Sequence, residues 1–186
     1  MKTIRRWSLM RNIEPENIME HSFQVATIAH SLAEMHNKSD DEQKVDVGRV
    51  VVIALYHDAS EVMTGDMPTP IKYHNPKIRD AFHEIEDLAT EKLTHTLPEI
   101  LKDRFEDAML PSAEESFEVS FIKAADKISA YLKCVEERRG GNQEFMHAER
   151  ALLKEVRKCN LKVVDEWMTI FAPAFELSLD ELTQID

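Results

Sequence analysis

Apolar residues recur at helical intervals along almost the whole chain, and the strict two-residue alternation of a half-buried strand is nearly absent. The stretch from Asn17 to His36 carries the clearest stripe. Ile18, His21, Val25, Ile28, Leu32 and Met35 fall on one face. A polar link follows, Asn37–Lys38–Ser39–Asp40–Asp41–Glu42, and Asp46 is placed to cap a second helix running to about Met63. Thr64–Gly65–Asp66–Met67–Pro68–Thr69–Pro70 breaks that helix: Gly65 suits the position just past a helix end, and the two prolines forbid continuation. Asn75–Pro76 opens a third helix with Pro76 at its first position, running to about Leu97, where Pro98 stops it. Glu99 to Leu110 is a shorter helix, and Pro111–Ser112 a turn. Ala113 to Arg138 is a long helix with Phe117, Phe121, Ile128, Leu132 and Val135 on its core face, ended by Gly140–Gly141–Asn142. Glu144–Lys158 and Leu161–Phe171 complete the set, with Pro173 near the end of the last. The pattern predicts an all-α fold, a helical bundle in which residues 1–186 form one domain without internal repeats.

One stretch does not fit a plain core. Val50–Val51–Val52–Ile53–Ala54–Leu55–Tyr56 is apolar enough to be buried, yet His57, Asp58 and Glu61 follow at once. On a continuous helix Val50, Ala54, His57 and Glu61 share one row, and Val47, Val51, Leu55 and Asp58 the next. The apolar members point both rows inward and carry the ionisable ones with them. A buried charge without a partner is costly or shifts its pKa until it is neutral. A divalent cation resolves the conflict, since imidazole and carboxylate together form a common ligand pair.

Charge and cysteine content narrow the function. The formal net charge is −12, from 23 Lys+Arg against 35 Asp+Glu, which argues against a nucleic-acid polymer as partner because phosphate neutralisation needs a basic face. An anionic small molecule remains compatible with locally placed cations. The two cysteines, Cys134 and Cys159, make no metal motif or disulfide framework, which fits a reduced, cytoplasmic setting. No apolar run reaches the roughly 18–20 residues of a membrane span, and the two arginines near the start have no apolar signal core behind them.

Each major helix brings an unusual polar group onto an apolar face: His21 on the first, His57, Asp58 and Glu61 on the second, and Asp126 at the edge of the long helix's core stripe. Two histidines and two aspartates from separate helices can enclose one divalent ion and leave positions open for water or substrate. The order His21 … His57–Asp58 … Asp126 resembles the H…HD…D signature of the HD-domain metal-dependent phosphohydrolases. The flanks are more specific than the pair itself. Arg6–Trp7–Ser8–Leu9–Met10–Arg11–Asn12, Glu20–His21–Ser22, Tyr56–His57–Asp58–Ala59–Ser60–Glu61–Val62, Thr64 to Tyr73, Lys123–Ala124–Ala125–Asp126 and Ala130–Tyr131–Leu132–Lys133–Cys134 resemble the bacterial 5′-deoxynucleotidases of that superfamily. The likeness extends to Phe175–Glu176–Leu177–Ser178–Leu179–Asp180–Glu181. The chain begins only a few residues before Arg6–Trp7, a shorter lead-in than those enzymes have, as a phage-encoded relative acting in its host's cytoplasm would show.

The resemblance implies roles. His21, His57, Asp58 and Asp126 are metal ligands, holding one divalent transition ion (Co, Mn or Zn). Glu61 orients or deprotonates the attacking water, or protonates the leaving alkoxide. Arg6 holds the phosphate, for which a planar bidentate donor is suited, and Trp7 packs on the sugar or base. Asp66 accepts a hydrogen bond from the 3′-hydroxyl and crowds out a 2′-hydroxyl, and Lys72 is a second phosphate-neutralising candidate. His30, His36, His74, His83, His95 and His147 are surface or boundary residues, and the acidic residues of the Asn75–Leu97 helix a solvated face. The implied activity is hydrolysis of deoxyribonucleoside 5′-monophosphates to deoxynucleoside and phosphate. The alternatives are a dATP-type triphosphohydrolase releasing triphosphate, or an inactive nucleotide-binding module. The last two helices, with Trp167, Phe171 and Phe175, are core by default; the resemblance also implies a homo-oligomer, to which some of their apolar surface would contribute.

Overall fold

The computed structural model describes residues 1–39 and 43–184. Helix α1 spans Ile18–Lys38. Asn17 caps it, accepting from the Met19 and Glu20 N–H groups, while the Glu20 carboxylate returns to the Asn17 N–H. Its stripe is buried as the periodicity requires, with Met35 half-buried at the end. The helix runs past His36 to a cap at Ser39, so the expected polar link begins later; Asp40, Asp41 and Glu42 lie outside the described residues.

Helix α2, Val47–Tyr56, is capped by Asp46, whose carboxylate accepts the Arg49 N–H. It does not continue to Met63. It stops at Tyr56, residues 57–60 form a tight turn, and a short α3 covers Glu61–Thr64. The cause is local. The His57 ring takes the Ala54 carbonyl at 2.8 Å, an acceptor the helix would otherwise spend on Asp58. The backbone then switches to three-residue bonds, Ala59 to Tyr56, Glu61 to Asp58 and Val62 to Ala59. Of the two expected inward rows, Val50, Ala54 and Glu61 are buried, but Val51 is only half-buried and Leu55 exposed. Asp58 therefore reaches the interior through the turn and not along a helical row.

Gly65 ends α3 at φ 74°, and Thr69–Lys72 forms a one-turn α4 inside the expected break, which its prolines allow because they sit at the helix start. Helix α5, Pro76–His95, starts with Asn75 capping Ile78 and Pro76 in the first turn. Helix α6 spans Glu99–Met109. A 3-10 turn at Ala113–Glu115 leads into the long α7, Ser116–Arg139. Another 3-10 turn, Gln143–Phe145, precedes α8, Met146–Val156; α9, Lys162–Ile170, and α10, Leu179–Leu182, close the chain. Among the described residues there is no strand, only an isolated bridge between Arg5 and Asn17 that lays the N-terminal segment beside the start of α1. Among the described residues no helix is long and apolar enough to cross a membrane.

The core gathers where α1, α2, α7 and α9 meet, around Val25, Leu32, Val50, Phe121, Ile128, Leu132 and Trp167. Trp167 is buried and donates its indole N–H to Ser31, Phe175 packs against the cluster, and Phe171 is left exposed. His36 is not a surface residue: it is buried against the edges of Phe117 and Phe121, with its Nε2 on the Gln43 carbonyl.

Candidate metal centre and nucleotide site

Three elements converge at one end of this core. Helix α1 supplies His21, fully buried; the turn after α2 supplies His57 and Asp58; α7 supplies Asp126. His21, His57 and Asp126 each offer a ligand atom within 4.8 Å of the others. His21 Nε2 lies 3.2 Å from Asp126 Oδ1 and 3.5 Å from Asp58 Oδ2, and His57 Nε2 lies 3.2 Å from Asp58 Oδ2. The outer ring nitrogens are engaged elsewhere, His57 Nδ1 with the Ala54 carbonyl and His21 Nδ1 with Ser129 Oγ at 3.1 Å. Both Nε2 atoms are buried without a hydrogen-bond partner and face the carboxylates. With each Nδ1 carrying a proton, each Nε2 presents a lone pair, and two imidazoles with two carboxylates form a mixed N/O set suited to a divalent transition metal. The residues present fit such an ion.

The electrostatics agree. Burial opposes the charge on the His57 imidazole, but Asp58 and Asp126 outweigh it and hold its pKa up at about 9. Burial alone would raise the Asp58 carboxyl; His57, His21 and Arg6 instead hold it well below the usual carboxylate range. This negative pole is built to hold positive charge, whether a proton or a cation.

The remaining sequence candidates surround it. Arg6 donates its Nε to Glu16 at 2.8 Å and sets one terminal nitrogen 3.5 Å from Asp58 Oδ2. Glu61, at the start of α3, is 7% exposed, and its Oε2 is buried without a partner. Burial above all, then the charges of Asp58 and Asp66, push its carboxyl up to about 9, against the opposing pull of Arg6 and Lys72. Asp66 follows the left-handed Gly65 and accepts the Trp7 backbone N–H; burial and Asp58 still raise its pKa. Trp7 sits at φ 57°, with its ring 5.3 Å from that of Phe145 and its indole N–H buried without a partner. Lys72 is committed to Glu86 at 2.7 Å and lies over the Phe82 ring. Glu86 is thus drawn out of the acidic face expected for α5.

A family model described as 5′-deoxynucleotidase YfbR-like matches residues 1–175. The chain belongs to the YfbR-like 5′-deoxynucleotidase family. Among the relatives in this family, a 5′-deoxynucleotidase of Photorhabdus temperata is 46% identical over 183 residues, spanning 98% of this chain and 92% of that protein. The 5′-deoxynucleotidase YfbR of Escherichia coli (strain K12 / DH10B) is 45% identical over 184 residues, spanning 99% and 92%. Two solved structures share the fold at lower identity. An HD-domain phosphohydrolase of Listeria innocua superposes with a TM-score of 0.78 at 22% identity, covering 97% of this chain and 86% of that one. The HD phosphohydrolase DatZ of cyanophage S-2L, solved with dA and one catalytic Zn²⁺, gives 0.62 at 21% identity, covering 93% and 91%. The HD-type helical fold expected from the motif order is the observed one.

The sequence reading missed the residues that hold the site from behind. Glu16 orients Arg6, Ser129 and Gln24 stand behind His21, Glu86 restrains Lys72, and Phe145 backs Trp7. Ser129 left a faint signal, since it follows Asp126 by three positions and so shares its side of α7. Gln24 stands in the same relation to His21 on α1, while Glu16, Glu86 and Phe145 left none, because their partners are distant in sequence.

Proposed function

We propose that the chain hydrolyses deoxyribonucleoside 5′-monophosphates to deoxynucleoside and phosphate, using one divalent transition ion, Co, Mn or Zn, held by His21, His57, Asp58 and Asp126. The observation that carries this is the pair of orphaned Nε2 atoms facing Asp58 and Asp126, beside a buried Glu61, in a chain of the 5′-deoxynucleotidase family. When bound, the ion supplies Lewis acidity that neutralises phosphoryl charge and lowers the pKa of water. Arg6 binds the phosphate, pre-set by Glu16. Glu61 orients or deprotonates the attacking water, or delivers a proton to the 5′-oxygen as the ester bond breaks; its burial beside Asp58 and Asp66 raises its carboxyl toward the range such proton transfer needs. Trp7 packs on the nucleoside, and Asp66 takes the 3′-hydroxyl and leaves no room for a 2′-hydroxyl. Lys72 contributes charge near the phosphate without touching it, because Glu86 keeps its ammonium.

Residues 1–186 act as one domain in this reading, supported by a buried cluster that draws on helices from both ends of the chain. The enzyme works in the cytoplasm, consistent with Cys134 and Cys159 both being free thiols. It assembles as a homo-oligomer, supported by exposed Ile170 and Phe171 on and beside α9, and light scattering that found only monomer would refute this.

The test is phosphate release with Mn²⁺ or Co²⁺, using dAMP, AMP and dATP side by side. Phosphate from dAMP, little from AMP and no intact triphosphate from dATP is expected. Glu61→Gln should lower kcat by roughly 10²–10⁴-fold while leaving metal binding in place. Silence toward every dNMP, or triphosphate as the main product, would overturn the reading.

A further inference from the structure

Residues 1–17 run along the site before α1 begins, and they are tied down at two places. The near tie lies beside Arg6. The Arg6 N–H donates to the Glu16 carbonyl at 3.0 Å, the Ile18 N–H to the Ile4 carbonyl at 3.1 Å, and the Arg6 side chain to Glu16 at 2.8 Å.

The far tie is made by one carboxylate on the last turn of α7. Glu137, 1% exposed, accepts from the backbone N–H groups of Ile13 at 2.9 Å and Glu14 at 3.1 Å, from Lys133 Nζ at 2.6 Å and from Asn142 Nδ2 at 2.8 Å. Two of these donors reach the strap a second time, Lys133 to the Glu14 carbonyl and Asn142 to the Arg11 carbonyl. Ile13 also abuts Gly140, where an added Cβ would come within 3.2 Å of its Cδ1. Residues 11–14 are therefore clamped through backbone atoms, by a carboxylate whose charge four donors compensate.

Between the two ties the chain doubles back at Trp7. Its backbone is left-handed, a conformation a bulky residue keeps only where its surroundings impose it. Asp66 takes the Trp7 N–H, the Met10 N–H donates to the Trp7 carbonyl, and the rest of the support comes from the far tie. The Asn12 amide donates to the Trp7 carbonyl at 3.2 Å and to the Met10 carbonyl at 3.0 Å, and Phe145, three residues after Asn142 and fully buried, backs the indole. Arg6 is held by Glu16, His21 by Ser129 and His57 by the Ala54 carbonyl, none of them through Glu137.

We propose that Glu137 is a positioning residue for nucleotide binding, acting through the clamped 11–14 segment to hold Trp7 in its left-handed, substrate-facing pose. The inference rests on the reading of Trp7 as the side chain that packs on the nucleoside. It divides the strap into a phosphate end fixed by Glu16 and a nucleoside end fixed by Glu137, so loss of Glu137 weakens binding and leaves the chemical step alone.

The experiment measures KM and kcat for dAMP, and Mn²⁺ affinity by calorimetry, for Glu137→Gln in the parent and in a Trp7→Ala background. Because Gln can leave Lys133 uncompensated and unfold the protein, Asn142→Ala, which removes one shared donor, is run in parallel. Either variant is expected to raise KM about tenfold with kcat within about twofold and unchanged Mn²⁺ affinity. On Trp7→Ala neither should raise KM further. An unmoved KM, a KM rise repeated in full on Trp7→Ala, or a parallel fall in kcat and Mn²⁺ affinity would overturn the proposal. If Trp7→Ala itself leaves KM unchanged, the nucleoside-packing role of Trp7 fails, and this inference fails with it.

Discussion

Ser129 has one hydroxyl proton, and Gln24 Oε1 takes it at 2.6 Å. Toward His21 Nδ1, at 3.1 Å, the same oxygen can then only accept. That fixes the proton on Nδ1 and turns the Nε2 lone pair toward Asp58 and Asp126. The Ala54 carbonyl does the same for His57. Removing such an outer partner typically costs 10–100-fold in metal affinity, so Ser129→Ala should weaken Mn²⁺ or Zn²⁺ binding by about that factor with the fold intact. Competition against a chromogenic chelator reads it, with His21→Ala as the control that should lose far more. An affinity within twofold of the parent would show that the Ser129 hydroxyl does not govern the ring. At this scale the sequence pointed to His21, His57, Asp58, Glu61 and Asp126 through the motif order and its flanks more than through the break each makes in an apolar pattern, and the fold brings the two histidines and two aspartates together. Ser129 and Gln24 were not. A serine in a helix facing the core and a glutamine beside a histidine cost little and raise no alarm until coordinates bring them within hydrogen-bonding distance.

The helices themselves were largely readable, since caps are written in neighbouring residues: Asp46 and Asn75 with Pro76 act where the sequence places them. What periodicity could not show is the end of α2 at Tyr56. The interruption comes from a side chain, His57, competing for a backbone carbonyl, and apolar spacing carries no trace of that competition. The consequence is functional, because the turn lets Asp58 and His57 face the same centre while Glu61 starts a new helix behind them. Gly65 closes this unit at φ 74°, ψ 162°, a region almost reserved for glycine, with its N–H on the Glu61 carbonyl at 2.8 Å. No atom lies within 4 Å of an added Cβ, so an alanine there meets strain and not a clash. Gly65→Ala should destabilise by about 1–3 kcal/mol and move Asp66, raising KM for dAMP more than it changes metal affinity. Thermal melting and steady-state kinetics together check this; an alanine variant with parental Tm and KM would mean that the turn relaxes freely.

Across the whole molecule, distant segments are tied by carboxylates kept ionised by their donors, and the sequence hides this because the partners lie far apart. Glu137 and Ile13 are 124 residues apart, and Arg49 and Glu115 are 66 apart. Burial pushes the Glu137 carboxyl up, but the Ile13 and Glu14 N–H groups, Lys133 and Asn142 bring it down to about 2. The Arg49 guanidinium, with help from Ser112, brings Glu115 to about 2 as well. Both values lie below the 4.5 of an unperturbed glutamate, so the folded chain binds fewer protons than the unfolded one between them. Their stabilisation is fully present above pH 4.5 and is lost as pH falls from there through about 2. For the buried Glu137 this amounts to a few kcal/mol, at about 1.4 kcal/mol per pKa unit. The more exposed Glu115 contributes less, because solvent screens its pair with Arg49. Calorimetric scans should therefore show the stabilisation from these two carboxylates lost below pH 4.5, with Tm falling steeply there. Glu137→Gln should start lower at pH 7 and lose less on acidification, because its site has no proton left to take up. Parallel Tm curves for the parent and Glu137→Gln down to pH 2.5 would mean that the ionised clamp does not tie the N-terminal strap to α7.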